Sequence, residues 1–493
     1  MTGPPIGAPV RKQGPPVVGT LRDRTRPGRR AWSFPDLDVP AVELPPDHRR
    51  VDPAALPEVA ERDLVAHFTR LSQMNYGVDT GFYPLGSCSM KYNPKLAETV
   101  AGMPGFQRLH PHQPEDTIQG ALEMMWRLER ALCAITGMAR ATLQPPAGAS
   151  GELTGLLIMR AYHTKNGVPR SKVLIPDSAH GTNPASVTLS GYRAVQVASD
   201  ARGLVDLGQL EKALDEDVAG IMLTNPNTLG LFEEEIEAIA AAMHRVGGLL
   251  YYDGANLNAI IGRVRPGDMG FDIVHMNTHK TFATPHGGGG PGAGPVAVSA
   301  RLEPFLPAPV VALDEDSGRY SWDHERPDAI GRVHGFHGNF GVLVRAFAYV
   351  FAHGRDGLKA VGELAVLNAN YLACFVGEAY PLAHPDGRPM HEFVSTAKPY
   401  RKYGVRAMDV AKRLIDLGFH PSTVYFPLVV EEAMMVEPTE TESKETLDAF
   451  AEAMLQVAGE AERDPELLHQ APVTTPVRRL DEAKAARELK LRW

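Results

Sequence analysis

One lysine, Lys280, sits in the stretch His275-Met-Asn-Thr-His-Lys280-Thr-Phe-Ala-Thr-Pro-His-Gly-Gly-Gly-Gly290, among small and polar residues and ahead of four glycines. A strand-like apolar segment, Leu249-Leu-Tyr-Tyr-Asp253, ends 27 residues upstream. Alone, a lysine is usually a solvated surface residue, and a strand-end aspartate usually caps a turn. Here each follows an apolar run. Together they offer an amine that can form a Schiff base with an aldehyde and a carboxylate that can hold a pyridine nitrogen protonated. Those are the two demands of pyridoxal phosphate (PLP) chemistry, in which the protonated ring accepts the electrons of a carbanion.

Other segments fit the same site. His180, in Asp177-Ser-Ala-His180-Gly-Thr-Asn-Pro-Ala-Ser186, follows another apolar run. An imidazole there can stack on the cofactor ring and shuttle a proton near neutral pH; its plain alternative is a structural hydrogen bonder. Gln144-Pro-Pro-Ala-Gly-Ala-Ser-Gly-Glu152 is a small-residue turn opening a helix, whose first N–H groups and dipole suit a phosphate. Ser150 could equally be an ordinary helix cap. The candidate catalytic residues are Lys280, His180 and Asp253. The same three, with Ala149, Ser150, Asn227, Ala255 and Thr278, form the candidate cofactor-binding set.

Several other signals carry little. Gly287, Gly289 and Gly292 match G-x-G-x-x-G, but Pro295-Val-Ala-Val-Ser after them reads as strand rather than helix, against a dinucleotide site. No P-loop is present. His110 with His112, or His334 with His337, lack a carboxylate or cysteine cluster, so no metal is expected. The acids between Glu431 and Glu445 read as a solvated face and a helix start. Cys88 is open to a redox role or a packing role.

These residues must be placed by an α/β body. Short apolar runs (Ala141–Leu143, Val173–Ile175, Ile221–Leu223, Leu249–Tyr252, Ile273–Met276) alternate with helical stretches such as Glu152–His163 and Glu233–Val246. That alternation predicts a largely parallel sheet, with ligands at the carboxyl ends of its strands. A helix near Glu58–Met74, a turn-rich loop over Gly77–Pro94 and an amphipathic helix over 117–137 precede it. Ser422–Val430 reads as a strand, and Thr439 with Glu442 as a capping box before a helix with Leu447, Phe450, Met454 and Leu455 on its apolar face. The expected organisation is an N-terminal arm and helical segment (1–110), a large PLP-binding α/β domain (111–364) and a small α+β domain (365–493).

At 493 residues, 44% hydrophobic, 22% charged and net charge −9, the chain reads as an ordinary globular protein of two or three domains, with no charge signature of nucleic-acid binding. Three scattered cysteines argue for a reducing compartment. No run of 18 apolar residues predicts a membrane span. Residues 1–32 hold seven Lys/Arg and one acid, as a transit peptide would, but also read as an extended Pro/Gly-rich arm.

The chain resembles glycine decarboxylase, the P-protein of the glycine cleavage system, in its split bacterial form as subunit 2. The resemblance runs from about residue 20 to 482. It is carried by Phe82–Lys95 (Phe-Tyr-Pro-Leu-Gly-Ser-Cys-Ser-Met-Lys-Tyr-Asn-Pro-Lys), Asp177–Ser186, Leu223–Phe232, Tyr251–Ile260, Asn277–Pro295, Gly338–Gly341, Met390-His-Glu-Phe393 and Glu437–Thr446. Ser89 in place of threonine and His337 in place of an aromatic are departures. The resemblance implies a fold-type-I PLP-dependent transferase, like aspartate aminotransferase, with Lys280 on the cofactor, Asp253 at its ring nitrogen and His180 on its face. It implies decarboxylation of glycine, transfer of the aminomethyl group to the oxidised lipoyl group of H-protein, pairing with a homologous subunit 1 as an α2β2 heterotetramer, and a bacterial cytoplasm. His180 is a candidate for the proton needed at sulfur. Transamination or desulfuration of a small amino acid, or a non-catalytic scaffold subunit, are the alternatives; Lys280 and Asp253 argue against the scaffold.

Overall fold

Strands buried on both faces read as unbroken apolar runs, and the central strands here do so. The computed structural model describes residues 19–52 and 54–489. Its main sheet has seven strands: β1 (Arg140–Thr142), β2 (Lys172–Pro176), β3 (Arg193–Val197), β4 (Val218–Thr224), β5 (Leu249–Gly254), β6 (Ile273–Met276) and β7 (Val296–Val298), in the order β1-β7-β6-β5-β4-β2-β3. β3, β2, β4, β5 and β6 are parallel; β7 runs antiparallel to β6 and β1. Every residue of β4 and β5 is buried. Leu250 and Tyr252 pack into one core, and Leu249 and Tyr251 into the core on the opposite face. Helix Gly148–Lys165 covers that second face at close range. A Cβ on Gly151 would lie 2.6 Å from the Gly294 carbonyl, and one on Gly155 2.4 Å from the Tyr251 ring. Glycine is what lets the helix sit there.

A hairpin of β8 (Val310–Asp314) and β9 (Arg319–Asp323) follows. The helix Phe340–Ala379 then bends at Gly354, whose φ is 60°. Its first arm packs Val342, Leu343 and Val350 into the large core, and its end packs Leu372, Ala373 and Val376 into a second core. By length and composition this helix could cross a membrane; here its apolar faces serve the two cores. The boundary expected at 364/365 falls inside it. The second body is an antiparallel sheet of β10 (Phe393–Thr396), β11 (Thr423–Val424) and β12 (Ala433–Val436), in the order β10-β12-β11, with helices Ala407–Asp416 and Lys444–Arg463.

The segment 1–110 is not one body either. Phe82 is buried in the second core, while Val100 and Phe106 pack on the first. Residues 19–52 run over the outside with two short 3-10 turns and exposed Trp32 and Phe34. The Arg-rich stretch read as a possible leader lies partly outside the described residues. Two local readings are corrected. β11 stops at Val424 because Tyr425 takes a left-handed φ of 59° and Pro427 cannot donate to a ladder, so Ser422–Val430 is mostly loop. Helix Lys444–Arg463 is capped by Ser443, whose Oγ accepts from Thr446 N at 3.3 Å, rather than by Thr439.

The two bodies and the N-terminal segment meet at Lys91, which has essentially no exposed surface. Its Nζ donates to Glu440 Oε1 (2.6 Å), Asn258 Oδ1 (2.7 Å) and the Thr281 carbonyl (3.1 Å). Lys91→Met leaves Glu440 buried without its partner, so unfolding free energy should fall by about 3–5 kcal/mol. Denaturant titration checks this; the double variant Lys91→Met/Glu440→Leu should recover part of the loss.

Candidate active site

Parallel strands bring their carboxyl ends to one edge of the sheet, and the sequence places its polar clusters there. A cavity of about 170 Å³ opens at that edge. Lys280 and Asp253 line it, with His180, Ala149 and Ala255. Five of the eight residues expected around the cofactor are thus brought together.

Asp253 is the penultimate residue of β5 and is buried. Its Oδ2 accepts from Asn183 Nδ2 at 2.9 Å and its Oδ1 from the Ala255 N–H at 3.0 Å. His275 Nε2 stands 3.2 Å from Oδ1 but without hydrogen-bond geometry. Burial pushes the Asp253 carboxyl up; His275, the Asn183 amide and Lys280 outweigh it and hold the group below its ordinary value. The same Asn183 amide donates to Glu152 Oε2 at 3.2 Å, and Glu152 also accepts from Thr182 and Ser186. Helix Gly148–Lys165, the start of helix Thr182–Leu189 and the end of β5 are therefore tied by one amide. His180 is at the mouth, exposed, with Nδ1 2.9 Å from Thr182 Oγ1 and its ring edge-on to Phe426.

Lys280 lies on the single turn Thr278–Thr281 directly after β6. Its neighbour His279 lines the cavity and packs edge-on against His286, with centroids 4.6 Å apart. Burial takes the His279 ring down to about 3 and lowers His286, so both stay neutral near pH 7. Cys88 is pushed up to about 11 by burial, with Lys280 opposing, so it is a thiol rather than a thiolate.

Three expected cofactor contacts do not line the cavity. Asn227 donates to the Gly203 carbonyl (2.8 Å) and accepts from the N–H groups of Leu229 and Leu231; it ties its own loop to the loop after β3. The Thr278 hydroxyl donates to the Ala293 carbonyl and accepts from Thr284. Ser150 is the third residue of a helix that begins at Gly148 with Ala147 as its cap, so Ser150 is neither cap nor lining. Sequence reasoning missed Ser87, Thr224, Asn256 and His279 in the lining. It also misplaced two acids: Glu437 is wholly buried, and Glu440 is in the Lys91 ion pair.

The residues present fit PLP. Amine, carboxylate and imidazole face one cavity whose floor is a helix N-terminus. The side-chain oxygens of Thr224 and Asn277, both lining residues, are buried without hydrogen-bond partners among the described residues. A Cβ on Gly148 would strike Asn277 Oδ1, so the helix start packs against Asn277 only as glycine.

Residues 36–321 match the family model described as glycine cleavage system P-protein, and residues 361–471 match glycine dehydrogenase, C-terminal domain. The chain belongs to the glycine cleavage system P-protein family. It is 57% identical over 474 residues, 95% of its length and 97% of the relative's, to the probable glycine dehydrogenase (decarboxylating) subunit 2 of Caldanaerobacter subterraneus subsp. tengcongensis. The protein of that name from Bacillus velezensis is 56% identical over 96% of both chains. Among solved structures, an inhibitor-bound glycine decarboxylase (P-protein) superposes with a TM-score of 0.70 at 22% identity, over 84% of this chain and 93% of that one. An aspartate aminotransferase from Thermus thermophilus gives 0.54 at 15%, over 76% and 99%. The fold is that of the fold-type-I PLP-dependent enzymes. His337, the departure from the P-protein pattern, stacks on Trp322 at 3.8 Å and 11°, with burial holding it down to about 4; a neutral imidazole does an aromatic ring's work.

The Asn183 tie has a pH signature. Asp253 is held below its ordinary value, so the folded state favours the carboxylate. That stability is full above the unfolded carboxylate range, about pH 4, and is lost as pH falls through the depressed value. Asn183→Ala should cost about 1–3 kcal/mol at neutral pH, and the deficit should shrink below about pH 4. Thermal unfolding across that range measures it; a deficit independent of pH contradicts the role.

Proposed function

We propose that this chain is the PLP-bearing subunit of a decarboxylating glycine dehydrogenase. It takes glycine, releases CO2 and passes the aminomethyl group to the oxidised lipoyl group of an H-protein. The observation that carries this reading is the meeting of Lys280, Asp253 and His180 on one cavity in a chain of the P-protein family. The reading includes a homologous subunit 1 as partner in an α2β2 assembly, and a bacterial cytoplasm as the setting.

When bound, PLP supplies the electron sink that lets the bond from the glycine α-carbon to its carboxylate break with the electron pair left on carbon. The chain supplies position and charge. Lys280 offers the amine that would hold the cofactor. Asp253, an acid kept ionised by its neighbours, would hold the ring nitrogen protonated. His180 would cover the ring at the mouth, with Glu152 and Thr182 fixing its loop. The first N–H groups of helix Gly148–Lys165 would take the phosphate. A site of this kind accelerates by favouring delocalised charge over the ground state.

The test is CO2 release from carboxyl-labelled glycine, with PLP, the partner subunit and lipoylated H-protein present. Lys280→Ala should abolish release. Asp253→Asn should lower it about 10²–10³-fold, the usual cost of one pre-placed electrostatic partner. Full activity in Lys280→Ala contradicts the reading, and keto-acid formation without lipoyl protein would mark a transaminase.

A further inference from the structure

Two acids that this chemistry does not use stand behind the cavity wall. Glu392 precedes β10 and Glu437 follows β12, and neither has exposed surface. Glu392 Oε2 accepts from the Ser87 N–H at 2.7 Å, and its Oε1 faces Asn256 Nδ2 at 3.4 Å. Ser87 and Asn256 both line the cavity, so Glu392 is one residue away from it. Glu437 accepts from the Ser89 N–H at 2.9 Å and from the Ser89 hydroxyl. His391 completes the group. It is wholly buried and neither ring nitrogen has a hydrogen-bond partner among the described residues. Its Nε2 lies 3.9 Å from Glu392 Oε1 and 4.0 Å from Glu437 Oε1. The two carboxylates and the ring offer atoms within 4.8 Å of one another. Those spacings are too long for direct hydrogen bonds and within the reach of one bridging water.

Two carboxylates this close and this buried cannot both be ionised; they titrate as a pair that keeps one proton. The charged and titratable groups facing them are Lys280, Lys91 with its partner Glu440, Cys88 and His286. Burial raises Glu392 well above its ordinary value, with Glu437 adding and Ser87, Lys280 and Asn256 opposing. Burial also raises Glu437, against Ser89, Lys280 and Lys91. Burial takes His391 down to about 3, so the proton stays on the carboxyl side. At rest the pair holds one proton and one place for another.

The proposed reaction, on which this inference rests, has a matching need. The glycine ammonium must lose a proton before its nitrogen can bond to carbon. Later the C–C bond to the carboxylate breaks, a C–S bond forms, the lipoyl S–S bond breaks, and the second sulfur takes the electron pair and a proton. The disulfide is the oxidant, and the proton lost equals the proton gained. His180 is exposed at the mouth and exchanges with solvent; a proton kept from solvent needs a buried base. We propose that Glu392, Glu437 and His391 form a proton store that takes the proton given up by glycine and returns it to the lipoyl sulfur.

Infrared difference spectroscopy on the PLP-loaded chain with its partner subunit tests this. The carbonyl band of a protonated carboxylic acid should be present near neutral pH, lost in Glu392→Gln and in Glu437→Gln, and kept in the control Glu452→Gln, which changes an exposed acid on helix Lys444–Arg463. In the wild type, adding glycine should raise that band. Calorimetry of glycine binding in buffers of different ionisation enthalpy should show the double variant Glu392→Gln/Glu437→Gln releasing about one more proton per site than wild type. A wild-type band that glycine does not raise overturns the store even if the variants fail to fold, as does equal proton release by folded wild type and double variant. If glycine gives no heat in any form, the glycine reading fails, while the resting band in the glutamine variants still decides whether the pair holds a proton.

Discussion

The buried Lys91–Glu440 ion pair is the constraint from which the site follows. Ionising two groups away from water costs several kcal/mol each, and a hydrophobic pair would usually be no less stable. What this pair provides is position. Lys91 comes from the N-terminal segment, Glu440 from the loop after β12, Asn258 from the turn after β5, and Thr281 is the residue after Lys280. Burial lowers the Lys91 ammonium, but the Glu440 carboxylate outweighs it and keeps the group charged. Four distant parts of the chain are fixed to one nitrogen, and the turn carrying Lys280 is among them.

Around that point the cavity is lined by the large body and the N-terminal segment, and the second body holds that segment from behind. The large sheet supplies Asp253, Lys280 and the helix start at Gly148. The N-terminal segment supplies Ser87, held by Glu392 of the second body, and Ser89 is held by Glu437. Ser87 and Ser89 take left-handed φ values of 65° and 47°, a conformation that these contacts hold in place. On the opposite side, Asn183 distributes one amide between Glu152 and Asp253. Charge placement in the site is thus a property of the assembled fold rather than of any one motif.

Much of this was legible in the sequence, and the limits have physical causes. Lys280, Asp253, His180, Ala149 and Ala255 could be found because each follows a strand, and parallel strands gather their carboxyl ends. The strands themselves were visible because burial on both faces leaves continuous apolar runs. Asn227, Thr278 and Ser150 are also polar and also follow strands, but the first two spend their side chains on backbone carbonyls of other loops and Ser150 lies off the lining between Ala149 and Glu152, which composition does not reveal. Glu437 and Glu440 read as solvated acids because acids usually are; only the long-range return of the chain to Ser89 and Lys91 buries them. The division expected at 364/365 lies within a helix that serves two cores, whose arms are separated at a single glycine, Gly354.

The central claim is that Lys280 is the amine that holds PLP opposite Asp253. The most direct measurement is peptide mapping by mass spectrometry after the PLP-loaded subunit is treated with borohydride, which fixes a cofactor–lysine link. A single pyridoxyl-modified peptide is expected, with the modification on Lys280. Modification on another lysine such as Lys91, or no modified peptide from a chain that has bound the cofactor, would contradict it.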